Sequence, residues 1–346
     1  MDFELTEFQT DLADGVRRLC QGRFALEGLR RFEGSEQVVD RDGWRELGEA
    51  GVFNLSLPEG DGGLGLGLAD ASLVFEELGR ALVPGPLVAS HLAAGLIPGA
   101  ADGSVVVGLV ERVQFVAGSE SAESTSDPVI PLVVEHLADL DVLLVVSDDG
   151  VGSVEPASLE ASRMARPMDP LTPLWTARSL PAGTMVGGPE LSARWRRDGA
   201  VLSAALQIGS AAWTTELAVE YAKQRKQFGR PIGGFQAIKH LCADMVVRTE
   251  VARSAVQAAA VTIDQPDVGD PQAAAAGAKL LADEAALANG RSCIQIHGGM
   301  GFTWEVPAHL AYKRARVLAT QFGTVDEWAE ALAVSLAEAP AHPPTS

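Results

Sequence analysis

Four cations, Lys223, Arg225, Lys226 and Arg230, crowd into the stretch Tyr221-Ala222-Lys223-Gln224-Arg225-Lys226-Gln227-Phe228-Gly229-Arg230-Pro231-Ile232. Arginine's planar fork suits a phosphate or pyrophosphate, at roughly 1.5–3 kcal/mol per charge-assisted hydrogen bond. The same cations suit a solvated helix end, where they complement the helix dipole, and charge alone leaves both readings open. A second stretch, Gln295-Ile296-His297-Gly298-Gly299-Met300-Gly301-Phe302-Thr303, sets glycines behind a long helical run. A dinucleotide fingerprint follows a strand and opens a helix, whereas this run follows a helix. Its glycines fit a helix stop, and they also let the backbone and Gln295 approach a ligand or a neighbouring chain closely.

The elements that must carry these stretches fall into three textures. Apolar residues recur at helical spacing from Thr6 to Leu19, Trp44 to Ala50 and Ala69 to Leu82, with a Gly- and Pro-rich loop at Leu57 to Gly65 between the last two. Short Val-rich runs at Val105 to Val110, Val129 to Val134 and Val142 to Val146 read as strands. Ala-rich amphipathic helices follow from Leu191 to Glu338, broken at Asp264 to Pro271. The first motif ends a helix at Gly229 and Pro231, and the next helix begins near Phe235 with an apolar face through Ile238, Leu241 and Met245. The expected organisation is a helical region over 1–100, a reduced β domain over 101–190, a helical bundle over 191–338 and a frayed tail over 339–346. Strands and helices do not alternate, which excludes a Rossmann enzyme.

Together the two stretches resemble the acyl-CoA dehydrogenase family. Its members carry an Arg-x-x-Phe-Gly element and a later Gln-x-x-Gly-Gly-x-Gly element, matched here at Arg225 to Gly229 and Gln295 to Gly301. The Pro-Glu-x-x-Gly-Gly-x-Gly loop at Pro58 to Gly65 and the helical, β, helical order also follow the family. The resemblance implies an acyl-CoA dehydrogenase-like fold, mainly α with a small central β domain and a C-terminal four-helix bundle. It implies FAD bound between subunits, with Arg225, Gln227 and Phe228 contacting the ADP portion of a flavin held mainly by the adjacent protomer. Gln295, Gly298 and Gly299 match the second part of that contact. In the family reaction a carboxylate removes the α-proton of an acyl-CoA thioester while the β-hydrogen leaves as hydride to the flavin.

The family's base positions carry no carboxylate in this chain. The segment that holds a glutamate in many members reads Gln321-Phe322-Gly323-Thr324, and the other branch's position falls on Gly199, with Ala200 in place of an arginine beside it. The Thr-Glu-Pro and Trp-Ile-Thr-like segments that hold the flavin ring are not found between Gly103 and Gly188, where Trp175-Thr176 is a faint echo. This pattern is similar to the smaller subunit of actinobacterial heterotetrameric (α2β2) acyl-CoA dehydrogenases acting on steroid side-chain CoA thioesters, whose larger chain supplies the base. An electron-transfer flavoprotein or similar acceptor is the implied partner downstream. Two other readings stand beside it: a self-sufficient homo-oligomer with a non-standard base, and a scaffold that stabilises a larger dehydrogenase.

Among other carboxylates Asp198 is the best-placed substitute base, beside an empty family position, although next to Arg196 and Arg197 it also reads as an exposed charge. Glu250 is expected to pair with Arg248 or Arg253, Glu305 lies beside the glycine motif, and Asp244 reads as a hydrogen-bond partner inside the bundle. His240 and His297 flank motif positions and take no catalytic role. Cys20, Cys242 and Cys293 have an odd count and no metal-like spacing, so neither a disulfide framework nor a metal site is expected.

Composition bounds the rest. At 346 residues, 47% hydrophobic and 21% charged, the chain is a folded protein of more than one unit. A net charge of −19 disfavours nonspecific binding to nucleic acid or anionic lipid, and the scattered Trp44, Trp195, Trp213, Trp304 and Trp328 form no platform for bases. Pro84, Pro86 and His91 interrupt the most apolar region, and Met1-Asp2-Phe3-Glu4 lacks the features of a secretory signal, so a cytoplasmic protein is expected.

Overall fold

The computed structural model describes residues 5–111, 132–181 and 183–338. The first residues of the chain, the start of the expected strand at Val129 and the tail 339–346 lie outside them. Two compact units emerge, one from Met1–Arg17, Gly67–Leu82 and Ala200–Ser346, the other from Arg18–Leu66 and Val83–Gly199. Helices α1 (Glu7–Arg23) and α6 (Pro189–Gln224) contribute residues to both.

The first unit is helical, built from α4 (Leu68–Arg80), most of α6, α7 (Gln236–Asp264), α8 (Pro271–His297), α9 (Ala308–Leu318) and α10 (Val325–Glu338). Helix α8 buries a stripe that includes Ala275, Ala278, Ala282, Ala285, Asn289, Cys293 and Ile296. Its start is fixed by Asp270, whose carboxylate accepts from the Gln272 and Ala273 N–H groups, followed by Pro271 at the first helical position. Helix α4 is capped from a distance: both Asp264 oxygens accept, from the Leu68 and Ala69 N–H groups at 2.9 Å. Helices α4 and α6 touch backbone to backbone, because a Cβ at Gly209 would lie 1.9 Å from the Glu76 carbonyl and one at Gly79 would lie 2.1 Å from that of Leu206. Charge then ties neighbouring helices to α4. Arg17 grips Glu77 through two bonds of 2.8 Å, and Arg253 grips Glu76 at 2.9 and 3.1 Å.

The interior of this unit holds a fully buried ion pair. Lys279 and Asp283, 0% and 1% exposed, meet at 2.5 Å, and Lys279 Nζ also donates to the Leu318 carbonyl at 3.1 Å. Gln207 Nε2 donates to Asp283 Oδ1 at 3.0 Å and to the Ala315 carbonyl at 2.9 Å. Ser203 adds a third donor to the end of α9. The Ala315 and Leu318 carbonyls, which also accept from the Ala319 and Gln321 N–H groups, thereby gain side-chain donors inside the core. Beyond α9 the chain turns through Phe322 and Gly323, whose φ values of 54° and 99° are left-handed, and Trp328 Nε1 donates to the Phe322 carbonyl at 2.7 Å.

The second unit carries α2 (Leu26–Arg30), α3 (Arg41–Glu49), α5 (Leu87–Ala93) and two small sheets. One sheet has the order β1 (Val107–Glu111), β3 (Val142–Ser147), β4 (Gly150–Val154), β7 (Thr184–Gly187), with β1 parallel to β3 and the other pairs antiparallel. The other is antiparallel, β2 (Leu132–Glu135), β6 (Leu174–Ala177), β5 (Ala161–Arg163). Ala93, Val107, Leu144, Val146, Val151 and Trp195 pack into one core. The architecture is therefore mainly α with a small β part, as the sequence implied, and β1 and β3 fall on two of its Val-rich runs.

His91, on α5, is buried with Nδ1 3.1 Å from the Val52 carbonyl and Nε2 3.5 Å from Ser56 Oγ. Burial lowers its pKa to about 4, so the neutral ring donates to Val52. Because the unfolded chain protonates near 6.5, this depression removes stability as pH falls from about 6.5 to 4, by on the order of 3 kcal/mol in all. Urea unfolding of the native chain and of His91→Asn at pH 7 and pH 4.5 should show the larger loss in the native chain. Equal losses would assign the acid sensitivity elsewhere.

Candidate functional site

One sequence expectation needs correcting where the first motif begins. Helix α6 stops at Gln224 and does not reach Gly229. Lys226–Gln227 (β8) instead pairs with Arg230–Pro231 (β9) in a tight hairpin. Phe228 and Gly229, at φ 51° and 79°, make its two-residue turn, which needs left-handed backbone at both central positions. The Ile232 N–H donates to the Arg225 carbonyl at 2.8 Å and closes the hairpin, after which a short turn over Ile232–Gly234 leads into α7.

The second motif ends α8 where expected. Gly298 takes φ 59° and starts a 3₁₀ turn that runs to Phe302. Among the motif glycines Gly301 is needed for packing, since a Cβ there would lie 2.4 Å from the Ile294 carbonyl. Gly298 and Gly299 face open space, with nothing within 4 Å of where a Cβ would stand.

The structure brings the two motifs to one end of the first unit. Ala218, Ala222, Met245, Cys293 and Ile296 pack as one cluster, with Tyr221 and Ile232 against it. His297 stacks on Tyr221 with ring centroids 4.1 Å apart and donates through Nδ1 to the Cys293 carbonyl at 2.8 Å, a packing role. Outside this cluster the motif side chains stand in solvent. Arg225, Lys226, Gln227, Arg230 and Gln295 are exposed, and Phe228 is 92% exposed. The Arg230 guanidinium sits 4.1 Å from the centroid of the Phe235 ring, with which Phe228 makes a T-shaped pair. In a chain of net charge −19, the four cations Lys223, Arg225, Lys226 and Arg230 have no carboxylate partner among the described residues.

The carboxylates give a different picture. Asp198 is half-buried and accepts from Arg197 Nε and Nη2 at 3.1 and 3.0 Å. Glu250 pairs with Arg253, while Glu305 is exposed. Asp244 is exposed and has no hydrogen-bond partner among the described residues, against its expected place inside the bundle. The residue that does this work is Asn289, fully buried, with Nδ2 2.9 Å from both the Met245 carbonyl and Thr249 Oγ1 and with Oδ1 accepting from Arg248. Phe322 is buried, and Gly199 and Ala200 are buried in α6. Trp175 is buried in β6 with its backbone paired to Val134 and Arg163. Burial pushes the Cys293 thiol up to about 12, which makes it an inert core residue.

The acyl-CoA dehydrogenase N-terminal domain matches residues 6–103 and the C-terminal domain matches residues 197–333. The acyl-CoA dehydrogenase IpdE2 of Mycobacterium tuberculosis (strain ATCC 25618 / H37Rv) is 34% identical over 88% of this chain and 89% of its own length. The chain belongs to the acyl-CoA dehydrogenase family. The acyl-CoA dehydrogenase FadE34 of the same organism is also 34% identical over 90% of this chain, which spans only 45% of that longer protein. In structure the chain resembles a steroid acyl-CoA dehydrogenase variant, Tcur3481-Tcur3483, with a TM-score of 0.79 and 26% identity over 96% of this chain and 98% of that one. It shares its fold with a chain of the ChsE4-ChsE5 complex from M. tuberculosis, with a TM-score of 0.81 and 24% identity over 99% of this chain and 100% of that one.

Acyl-CoA dehydrogenases are FAD-dependent oxidoreductases acting on a CH–CH bond. The residues at the two motifs fit the ADP part of that cofactor by their chemistry. Unpaired guanidinium groups supply donors for a diphosphate, an exposed aromatic ring offers a face for stacking, and Gly298 and Gly299 leave the backbone open to close approach. Among the described residues no helix is long and apolar enough to cross a membrane, and no group of His, Cys, Asp or Glu side chains could hold a metal ion.

Proposed function

We propose that the chain is one subunit of a hetero-oligomeric acyl-CoA dehydrogenase, holding the ADP side of FAD while a larger partner supplies the catalytic carboxylate. The observation that carries this reading is Phe322. It stands where many family members place the base, buried, with its carbonyl tied to Trp328, and it has no proton-accepting side chain. Bound FAD would supply the hydride acceptor for the β-hydrogen. Arg225 and Gln227 would bind and orient its diphosphate, Phe228 would cover its adenosine end, and Gln295 with the Gly298 and Gly299 backbone would complete the contact. Removal of the α-proton then requires a carboxylate from elsewhere.

The relatives support a steroid-type substrate, since a structural neighbour is named a steroid acyl-CoA dehydrogenase. The substrate class we assign is accordingly a bulky acyl-CoA thioester such as a steroid side-chain CoA, with an α2β2 assembly in the cytoplasm and an electron-transfer flavoprotein or similar acceptor. The test is the visible spectrum and subunit stoichiometry of the purified chain, alone and co-expressed with a larger acyl-CoA dehydrogenase encoded beside it. A colourless chain that becomes yellow and tetrameric with its partner bears the reading out. A yellow chain alone, bleached by an acyl-CoA, overturns it.

Asp198 decides between this reading and a self-sufficient enzyme. Its bond to Arg197 gives it a structural partner, so Asp198→Asn should leave turnover within a few fold. A fall of about 10²–10⁴ would instead make it the base.

A further inference from the structure

One cluster in the helical unit is used by none of the chemistry above. Arg291 on α8 and Arg316 on α9 both donate to the phenol oxygen of Tyr312, Nε at 3.2 Å and Nη2 at 3.1 Å, and each guanidinium lies within 6 Å of the Tyr312 ring centroid, at 5.7 and 5.5 Å. One residue along, the Lys313 ammonium sits 4.5 Å from the centroid of the Trp304 ring, itself 59% exposed. Arg291 and Arg316 are exposed, and among the described residues none of the three cations pairs with a carboxylate.

Like charges held together on one oxygen, in a chain of net charge −19, repel each other unless an anion arrives. The two arginines also pull the Tyr312 phenol below its ordinary range, the bond from Arg291 most strongly. Arg291 on α8 and Arg316 on α9 stand exposed on either side of the half-buried Tyr312. Exposed Arg and Trp side chains around a half-buried Tyr have the composition of a protein-binding hot spot. Arg291 stands one helical turn before Gln295 on α8, so the surface continues the edge assigned above to cofactor contact.

We propose that Arg291, Tyr312 and Arg316, flanked by Lys313 and Trp304, form the docking surface for an acidic segment of the larger subunit. The arginine forks would take its carboxylates, and the rings would cover its apolar stems. This rests on the heteromeric reading for the identity of the occupant, and the first arm of the test does not depend on it.

The chain has two tyrosines, so ¹³C-tyrosine labelling gives two ring signals, assigned with Tyr221→Phe. Adding a short glutamate-rich peptide to the whole chain at low salt should move the Tyr312 signal and leave that of Tyr221 fixed. A glutamine-rich peptide should move neither, and Arg291→Gln/Arg316→Gln should abolish the response. A Tyr312 signal that stays still, or one that still moves in the double variant, overturns the proposal. In the second arm Arg291→Glu/Arg316→Glu, with an unchanged circular dichroism spectrum, should weaken assembly with the larger chain about tenfold or more. Unchanged assembly overturns the proposal while leaving the heteromeric reading intact. A wild-type chain that never assembles with the larger one overturns that reading and the named occupant together, and the Tyr312 signal still decides whether the surface takes an acidic segment.

Discussion

Arg225→Ala will cost the assembled enzyme about ten- to a hundredfold in FAD affinity, with its secondary structure and subunit stoichiometry unchanged. The size follows from the loss of one charge-assisted contact of roughly 1.5–3 kcal/mol. The selectivity follows from the structure, because Arg225 is exposed, has no carboxylate partner among the described residues and bonds to its neighbours only through its backbone. Nothing in the fold depends on its guanidinium. Arg225→Lys should recover only part of the affinity, since an ammonium keeps the charge and loses the planar fork. Flavin retained on gel filtration and by titration of the apo-assembly measures both variants. Full flavin content in Arg225→Ala would favour the scaffold reading, in which the chain stabilises its partner and touches no cofactor.

The largest stability loss is expected from Lys279→Met. It leaves the Asp283 carboxylate fully buried without its cation, and breaking a buried pair in this way costs about 3–5 kcal/mol. Burial already raises the Asp283 pKa, and Lys279 opposes that rise. Removing the lysine lets the pKa climb further, so the folded variant takes up a proton at higher pH than its unfolded chain does. Its stability deficit should therefore shrink as pH falls through the raised folded pKa of Asp283 toward the unfolded value. The double variant Lys279→Met/Asp283→Leu should regain much of the loss, because a well-packed apolar pair replaces a buried ionic one. Urea midpoints for the two variants across pH decide this, and a double variant no more stable than the single would show that the Leu318 carbonyl needs the lysine more than the carboxylate does.

That pair also shows where the sequence stops being readable. Lys279 and Asp283 are four apart on an Ala-rich helix, the spacing of an ordinary solvated ion pair, and only the packing of α6 and α9 over them turns it into a core feature. The same limit explains Asp244 and Asn289: helical periodicity finds an apolar stripe, but it does not say which polar residue beside the stripe faces inward. The α8 stop at Gly298 was readable because glycine chemistry is local. The β8–β9 hairpin was not, since Lys226 to Arg230 continues a helix-compatible composition and Phe228 is a non-glycine residue in a left-handed turn. The two motifs were legible through their spacing, and the side chain at the position where the proposed reading looks for a base through the identity of one residue, Phe322. Their common exposure, and the unpaired charge around them, required the structure.

That exposure has a consequence for how the chain must be made. Phe228 at 92%, Phe302 at 84% and Trp304 at 59% stand bare at one end of a single copy. A copy produced in excess of whatever covers them offers those rings to chaperones and to other copies of itself. In the heteromeric assembly proposed above, balanced synthesis of both chains, as from adjacent genes read on one transcript, would keep that surplus small, and unequal expression should fill inclusion bodies with this chain first.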